Sequence, residues 1–343
     1  IVLVVAAGVG FMMWIQGSGE LLEPQTLLGP DTTGHVEWTL TLDDPGTEGF
    51  AHALIEAIRA IPPQASEDFP PWMVGWLTQM QRRETERDIL ELFPLAAAWT
   101  VRPGDTPEED LHLFSVSVQR LGNRLVFGDW IMGWVFPRAE GFAVERYGGE
   151  RIYQIPVDEE RPVSFFLRRG NVFFTSDAET ARVAVDRLQA AEADREPTAL
   201  DRLFAETEAG GPMRGAIDNG RGEVARLWSW ISSGSEAVPD PGLWAGLRSL
   251  TLSGGLQADG SLSTKLHFAC PDARWAEART PELVAALHDG LDWTGIDLDV
   301  RARPVGDRIE VDLQAPELVG HLQRWVREAR KIDSNPGDVR IDF

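Results

Sequence analysis

The sequence predicts an α+β protein: an N-terminal transmembrane helix, then extracytoplasmic antiparallel sheets with helices on one face, built from repeated strand–strand–helix (ββα) units. Three observations predict it. Residues 1–15 read IVLVVAAGVGFMMWI, without a charge. Beyond residue 34, pairs of apolar strand-like segments lead repeatedly into amphipathic stretches of helical period. In Ile309-Glu310-Val311-Asp312-Leu313, apolar and polar residues alternate strictly. That pattern buries one sheet face and wets the other, so helices are expected over a single face.

The first element is the span, residues 1–16. A helix rises ~1.5 Å per residue and a bilayer core is ~30 Å thick, so a crossing needs about 20 apolar residues. The run is a few residues short and lacks an initial Met, and further N-terminal residues are expected to complete it. Trp14 ends the run, where an indole suits the headgroup layer. Gly17-Ser18-Gly19 before Glu20 weakly resembles a signal-peptidase site. A retained anchor in the lipid bilayer is the reading adopted. Glu20, Glu23 and Asp31 follow, and the first basic residue is Arg59. Cytoplasmic flanks carry Lys or Arg, so the bulk is expected outside the cytoplasm, as a single-pass inner-membrane protein with a periplasmic domain.

Residues 17–34 read as a linker, rich in Gly, Pro, Ser and Thr without a clear period. Two similar lobes are expected after it, at 35–190 and 198–332, with a C-terminal tail at 333–343. Acidic, small-residue stretches at 190–198 and 234–242 mark the joints. The clearest unit is PVSFFLRR and NVFFTS around a Gly170-Asn171 turn, then DAETARVAVDRLQ opened by a Ser176/Glu179 capping box. A second joins 250–253 and 262–268 through Ala258-Asp259-Gly260, with Thr280-Pro281-Glu282 opening a later helix. A third pairs 297–302 with 308–313 across Val305-Gly306-Asp307, and Pro316 opens its helix. A partial copy runs from Val36 to Ile61.

VSFFLRRGNVFFTSDAETARVAVDRL and LRSLTLSGGLQADGSLSTKLHFACPDARWAEA carry a resemblance to uncharacterised bacterial envelope proteins. Those have one N-terminal span and an extracytoplasmic domain of repeated strand–strand–helix units. The resemblance covers about two thirds of the chain by pattern, without a diagnostic motif. It implies no catalytic residue.

Composition narrows function. A net charge of −22 argues against nucleic acid, whose phosphates need a basic surface, and against broad docking on anionic lipid. Cys270 is the only cysteine, so no internal disulfide can form; it follows an apolar strand-like run and reads as a buried, inert thiol. Lys265 and Lys331 are the only lysines, which weakens Schiff-base and phosphate-loop chemistry.

Motifs for chemistry are absent. No glycine-rich phosphate loop, G-x-G-x-x-G or G-x-S-x-G occurs, and no C-x-x-C-H for haem. His52 and Glu56 share a helix face but make only two ligands, where zinc takes at least three from the protein. Asp289, Asp292, Asp297 and Asp299 lack the glycine and terminal Glu of a calcium loop. Glu108-Glu109-Asp110 reads as a solvated turn. No catalytic, cofactor or metal site is expected.

Binding surfaces are the better candidates. In FPPWMVGWLTQM, Phe69, Trp72, Met73, Trp76, Leu77 and Met80 make a wide apolar stripe at helical spacing. It packs on its own sheet, or it meets the membrane or a partner. LVFGDWIMGWVF, with Trp130 and Trp134, reads as a buried strand or an apolar edge dipping into lipid. Leu227-Trp228-Ser229-Trp230-Ile231 poses the same choice.

The leading expectation is a non-enzymatic accessory subunit of a bacterial membrane complex, respiratory or photosynthetic (for example a reaction centre–light-harvesting assembly), with membrane protein subunits as partners. A free-standing anchored protein binding a small molecule, lipid or peptide between its lobes is the alternative. A hydrolase with a dispersed acidic site is the third.

Overall fold

The structure is a computed structural model that describes residues 27–60, 90, 93–104, 110–118, 128–133, 137, 142–156, 162–168, 171–190, 197–207, 211–231, 241–291, 296–321 and 324. The predicted α+β class with a large antiparallel sheet is what folds. Twelve strands form one sheet: β1 (Gly34–Leu40), β2 (Leu95–Arg102), β3 (Leu111–Val118), β4 (Ala143–Tyr147), β5 (Glu150–Pro156), β6 (Pro162–Arg168), β7 (Asn171–Thr175), β8 (Met213–Asp218), β9 (Ser249–Leu256), β10 (Leu262–Ala269), β11 (Asp299–Val305) and β12 (Arg308–Ala315). The helices are α1 (Pro45–Ala60), α2 (Ala178–Ala190), α3 (Ala199–Ala205), α4 (Glu223–Ile231), α5 (Pro241–Ala245) and α6 (Ala273–Leu291).

Strand order is β11-β12-β10-β9-β8-β1-β2-β3-β7-β6-β5-β4. Central β1 and β8 pair antiparallel, with Val36 opposite Gly215. Outward from that seam the order is β1-β2-β3-β7-β6 on one side and β8-β9-β10-β12-β11 on the other. The stretches expected to form two lobes thus share one continuous sheet. Within the stretch read as linker, Leu27 and Leu28 are buried, and Arg187 of α2 donates to the Leu27 carbonyl at 3.1 Å.

The helices do not keep to one face, which corrects the expectation. In the second half, α4, α5 and α6 cover Ile217, Leu250, Phe268, Ile309 and Val311 in one apolar core. In the first half, α2 covers Leu113, Ile152, Phe166 and Phe173. The registers place these sets on opposite faces. His112 is in line with Val101, Gly34, Ile217 and Leu250, whereas Leu113 is in line with Thr100, His35, Ala216 and Thr251. The alternation in β12 is real, with Ile309 and Val311 buried, but it reports only its own half. In the first half both faces are apolar: Tyr153, Phe165 and Leu167 form a further core opposite α2, closed by Met132.

Helix starts follow side-chain caps. Asp44 accepts from the Thr47 N–H at 2.9 Å, ahead of Pro45. The cap of α2 is Asp177, which accepts from the Thr180 N–H at 2.7 Å; Ser176, the expected cap, instead donates to Asp177 at 3.0 Å. Pro281 lies inside α6 rather than opening a helix, and Asp272 caps that helix through the Trp275 N–H at 2.8 Å. Leu227 to Ile231 belong to α4 rather than a strand, because Asn219 accepts from the Val224 N–H at 2.8 Å and starts a helix there. Likewise residues 128–133 are helical, not extended. Among the described residues no helix is long and apolar enough to cross a membrane; residues 1–16 lie outside them.

Candidate functional site

At the seam, a cavity of about 480 Å³ opens on the face that α4 covers. Both halves line it: Thr33, Trp99, Val101, Asp110 and His112 from the first, and Ile217, Glu223, Ala225, Arg226 and Ser229 from the second. Strands β2 and β3 supply its floor, because Val101 and His112 are direct cross-strand partners and Trp99 lies diagonally beside His112. The Trp99 and His112 rings stack at 5.8 Å and 17°. Its wall is the face of α4 that Asn219 positions by capping the helix and by donating to the Trp244 and Leu247 carbonyls at 2.9 and 2.7 Å. Behind that wall Trp228 stacks on Trp244 at 4.9 Å.

One ion pair crosses the site. Arg226 donates to Asp110 at 2.7 Å, and the Gly104 N–H donates to the same carboxylate oxygen at 2.9 Å. The Asp110 side chain is only 9 % exposed, so it is not the solvated turn residue the sequence suggested. His112 is open at the rim, yet burial is the larger influence on its ring and holds its pKa below the usual imidazole range, with the Asp110 charge pulling the other way. The ring is therefore neutral at physiological pH.

Among the described residues, two polar atoms on residues of the lining have no hydrogen-bond partner. Glu223 is 5 % exposed; its Oε2 accepts from the Arg221 N–H at 2.8 Å, while its Oε1 is buried without a partner. Thr33 Oγ1 is in the same condition. A buried polar group left unpaired costs about 1–3 kcal/mol, and native proteins carry few of them. The lining thus combines a stacked aromatic floor with two residues, Thr33 and Glu223, that each keep a buried oxygen unpaired. Among the described residues no group of three His, Cys, Asp or Glu could hold a metal ion.

Of the residues singled out from sequence, Trp130 lies away from this cavity. Trp14, Phe69, Trp72, Met73, Trp76, Leu77, Met80 and Trp134 are outside the described residues. Trp130 is described and is 62 % exposed, beside Ile131 at 40 %. Its helical turn is anchored by Asp129, which accepts from the Tyr153 hydroxyl at 2.7 Å. Burial, then that bond, raises the Tyr153 pKa well above the usual phenol range. Sequence reasoning passed over Thr33, Trp99, His112, Glu223 and Arg226. The β1–β8 pairing, which joins residues about 180 positions apart, is what brings the two halves of the lining together, and no spacing signals it.

Comparison with family models, with curated proteins and with solved structures found no match.

Proposed function

We propose that this protein is a non-enzymatic, membrane-anchored binding protein that holds a small molecule in the cavity between its two halves. The observation carrying this reading is the pair of unpartnered buried oxygens, on Glu223 and Thr33, in the lining of one cavity. Ligand sites are concave, mostly apolar and fitted with a few convergent polar groups. Anchoring by residues 1–16 and a periplasmic location rest on the uncharged opening run and on the lack of basic residues before Arg59. The strand–strand–helix units are part of the same proposal, as copies of one plan.

Fluorescence titration with N-phenyl-1-naphthylamine, a flat apolar probe with one N–H donor, tests it. Saturable binding to the wild type is expected, and Ala225→Phe, which fills the cavity from α4, should remove it while the melting transition persists. Equal binding by both proteins would contradict the assignment.

A second reading, the accessory subunit of a membrane complex, is favoured by the exposed Trp130 and Ile131 on a firmly held turn. Aromatic residues of this kind dominate binding at protein interfaces. Trp130→Ser should release membrane-protein partners in mild detergent without changing stability. Unaltered co-purification would rule Trp130 out as the contact.

A further inference from the structure

The lining of the cavity continues as an aromatic track. Trp99 of β2 is the cross-strand partner of Phe114, Phe114 of Phe174, Phe174 of Phe165, and Phe165 of Tyr153. Five aromatic side chains on five adjacent strands therefore share one row on one face. The far end is sealed: Tyr153 is fully buried and Phe165 nearly so, with their rings stacked at 4.9 Å. The middle is open, with Phe114 at 42 % and Phe174 at 39 % exposure. Two strand spacings of ~4.8 Å put Phe174 about 10 Å from Trp99.

Charge at the inner end is asymmetric. Arg226 is matched by Asp110, and burial holds the His112 pKa below the usual imidazole range against the pull of Asp110. Among the described residues Glu223 accepts from the Arg221 N–H and keeps one buried oxygen unpaired. The lining thus carries one carboxyl group without a cationic partner among the described residues, beside a linear apolar track. It accepts a donor, favours a cation, and repels a carboxylate.

We infer that the ligand is a monomeric amphiphile with a cationic amine head, seated at Glu223 and Thr33, whose alkyl or flat apolar body lies along Trp99, Phe114 and Phe174. This rests on the cavity being the binding site and adds the ligand's class. Charge complementarity selects the head, and an amine N–H supplies the donor that Glu223 lacks. Burial of an apolar body of that length provides the bulk of the affinity.

The test is calorimetric titration of the full chain with octylamine, octanol and octanoate, each kept below its aggregation threshold. Octylamine is expected to bind about tenfold or more tightly than octanol, as a charge-assisted hydrogen bond would give, with octanoate weakest. Glu223→Gln, which keeps an acceptor and drops the charge, should bring octylamine to the level of octanol. Phe174→Ser, at an exposed position, should weaken octylamine and octanol by a similar factor. Octanoate binding as well as octylamine, or an amine preference that survives Glu223→Gln, would overturn the inference. If binding then still vanished in Ala225→Phe, the cavity reading would stand alone. No binding of any probe, or binding untouched by Ala225→Phe, would sink both.

Discussion

Arg226 on α4 donates to Asp110 ahead of β3 at 2.7 Å, and this bond ties the second half of the chain to the first across the cavity. Its side chains are 20 % and 9 % exposed, so the pair is neither a surface bridge nor a fully desolvated one. Asp110→Ala leaves Arg226 with only a long bond to the Gly104 carbonyl at 3.4 Å among the described residues and leaves the Gly104 N–H without its acceptor. A loss of about 1.5–3 kcal/mol is expected for either single change, as for hydrogen bonds to charged groups. The double variant with Arg226→Ala should cost little more than one alone. Urea unfolding of the four proteins measures the coupling; strict additivity would show that the pair does not hold the halves.

On the opposite face a second polar group crosses the same seam. Arg214 of β8 donates to Glu37 of β1, His35 is buried against Phe204 at 5.2 Å, and its Nδ1 is 3.1 Å from Thr100 Oγ1. Burial pushes the Glu37 carboxyl up, but the facing His35 ring, 3.7 Å away, and the hydrogen-bonded Arg214 guanidinium outweigh it and hold the pKa below the usual carboxylate value. A carboxyl with a depressed folded pKa binds fewer protons when folded. Its stabilisation is full above the unfolded value and drains as pH falls through the folded one. Stability of the wild type should therefore drop as pH falls below about 4.5. Glu37→Gln should be weaker at neutral pH and flatter in acid. An acid limb of unchanged steepness in the variant would remove Glu37 from the account.

Cys270 gives a direct reporter of global unfolding. It is fully buried, its thiol donates to the Phe268 carbonyl at 3.5 Å, and burial, aided by Asp307, pushes its pKa up to about 11. Because the thiolate is the reactive form, a thiol reagent at pH 8 should leave the native protein unmodified and react fully in denaturant. Rapid labelling without denaturant would mean the core around β10 opens locally.

Gly290, near the end of α6, lets that helix close on Trp228. A Cβ there would collide with the indole ring. Gly290→Ala should cost about 1–3 kcal/mol by overpacking, even though alanine gains about 1 kcal/mol as a helix former. Thermal unfolding followed by tryptophan fluorescence checks it. A stabilised variant would place the α6–α4 contact further apart than described.

Local pattern made much of the fold legible. The turns at Ala258-Asp259-Gly260 and Val305-Gly306-Asp307 sit where expected, with Gly260 and Gly306 at φ +80 and +61, a region open mainly to glycine. The helix after β7 was also legible, although its cap lies one residue late, because Ser176 and Asp177 compete for one role and the carboxylate wins. Sides of the sheet were not legible. β12 alternates visibly, whereas in β6 Ser164, Phe165, Phe166 and Leu167 are all buried, so both faces of the first half read as core. Trp228 read as ambiguous because an apolar run of five residues suits a strand or a helix; Asn219, nine positions earlier, decides it by accepting from the Val224 N–H at the helix start. The site itself was invisible, since Trp99, Asp110, Glu223 and Arg226 meet only through long-range pairing of β1 with β8.

The most direct measurement is a crystal structure of the protein grown with N-phenyl-1-naphthylamine. The account predicts density for the probe between Trp99 and α4, with its N–H within hydrogen-bond reach of Glu223 or Thr33. Probe density at another place on the molecule, with water alone between Trp99 and α4, would contradict it.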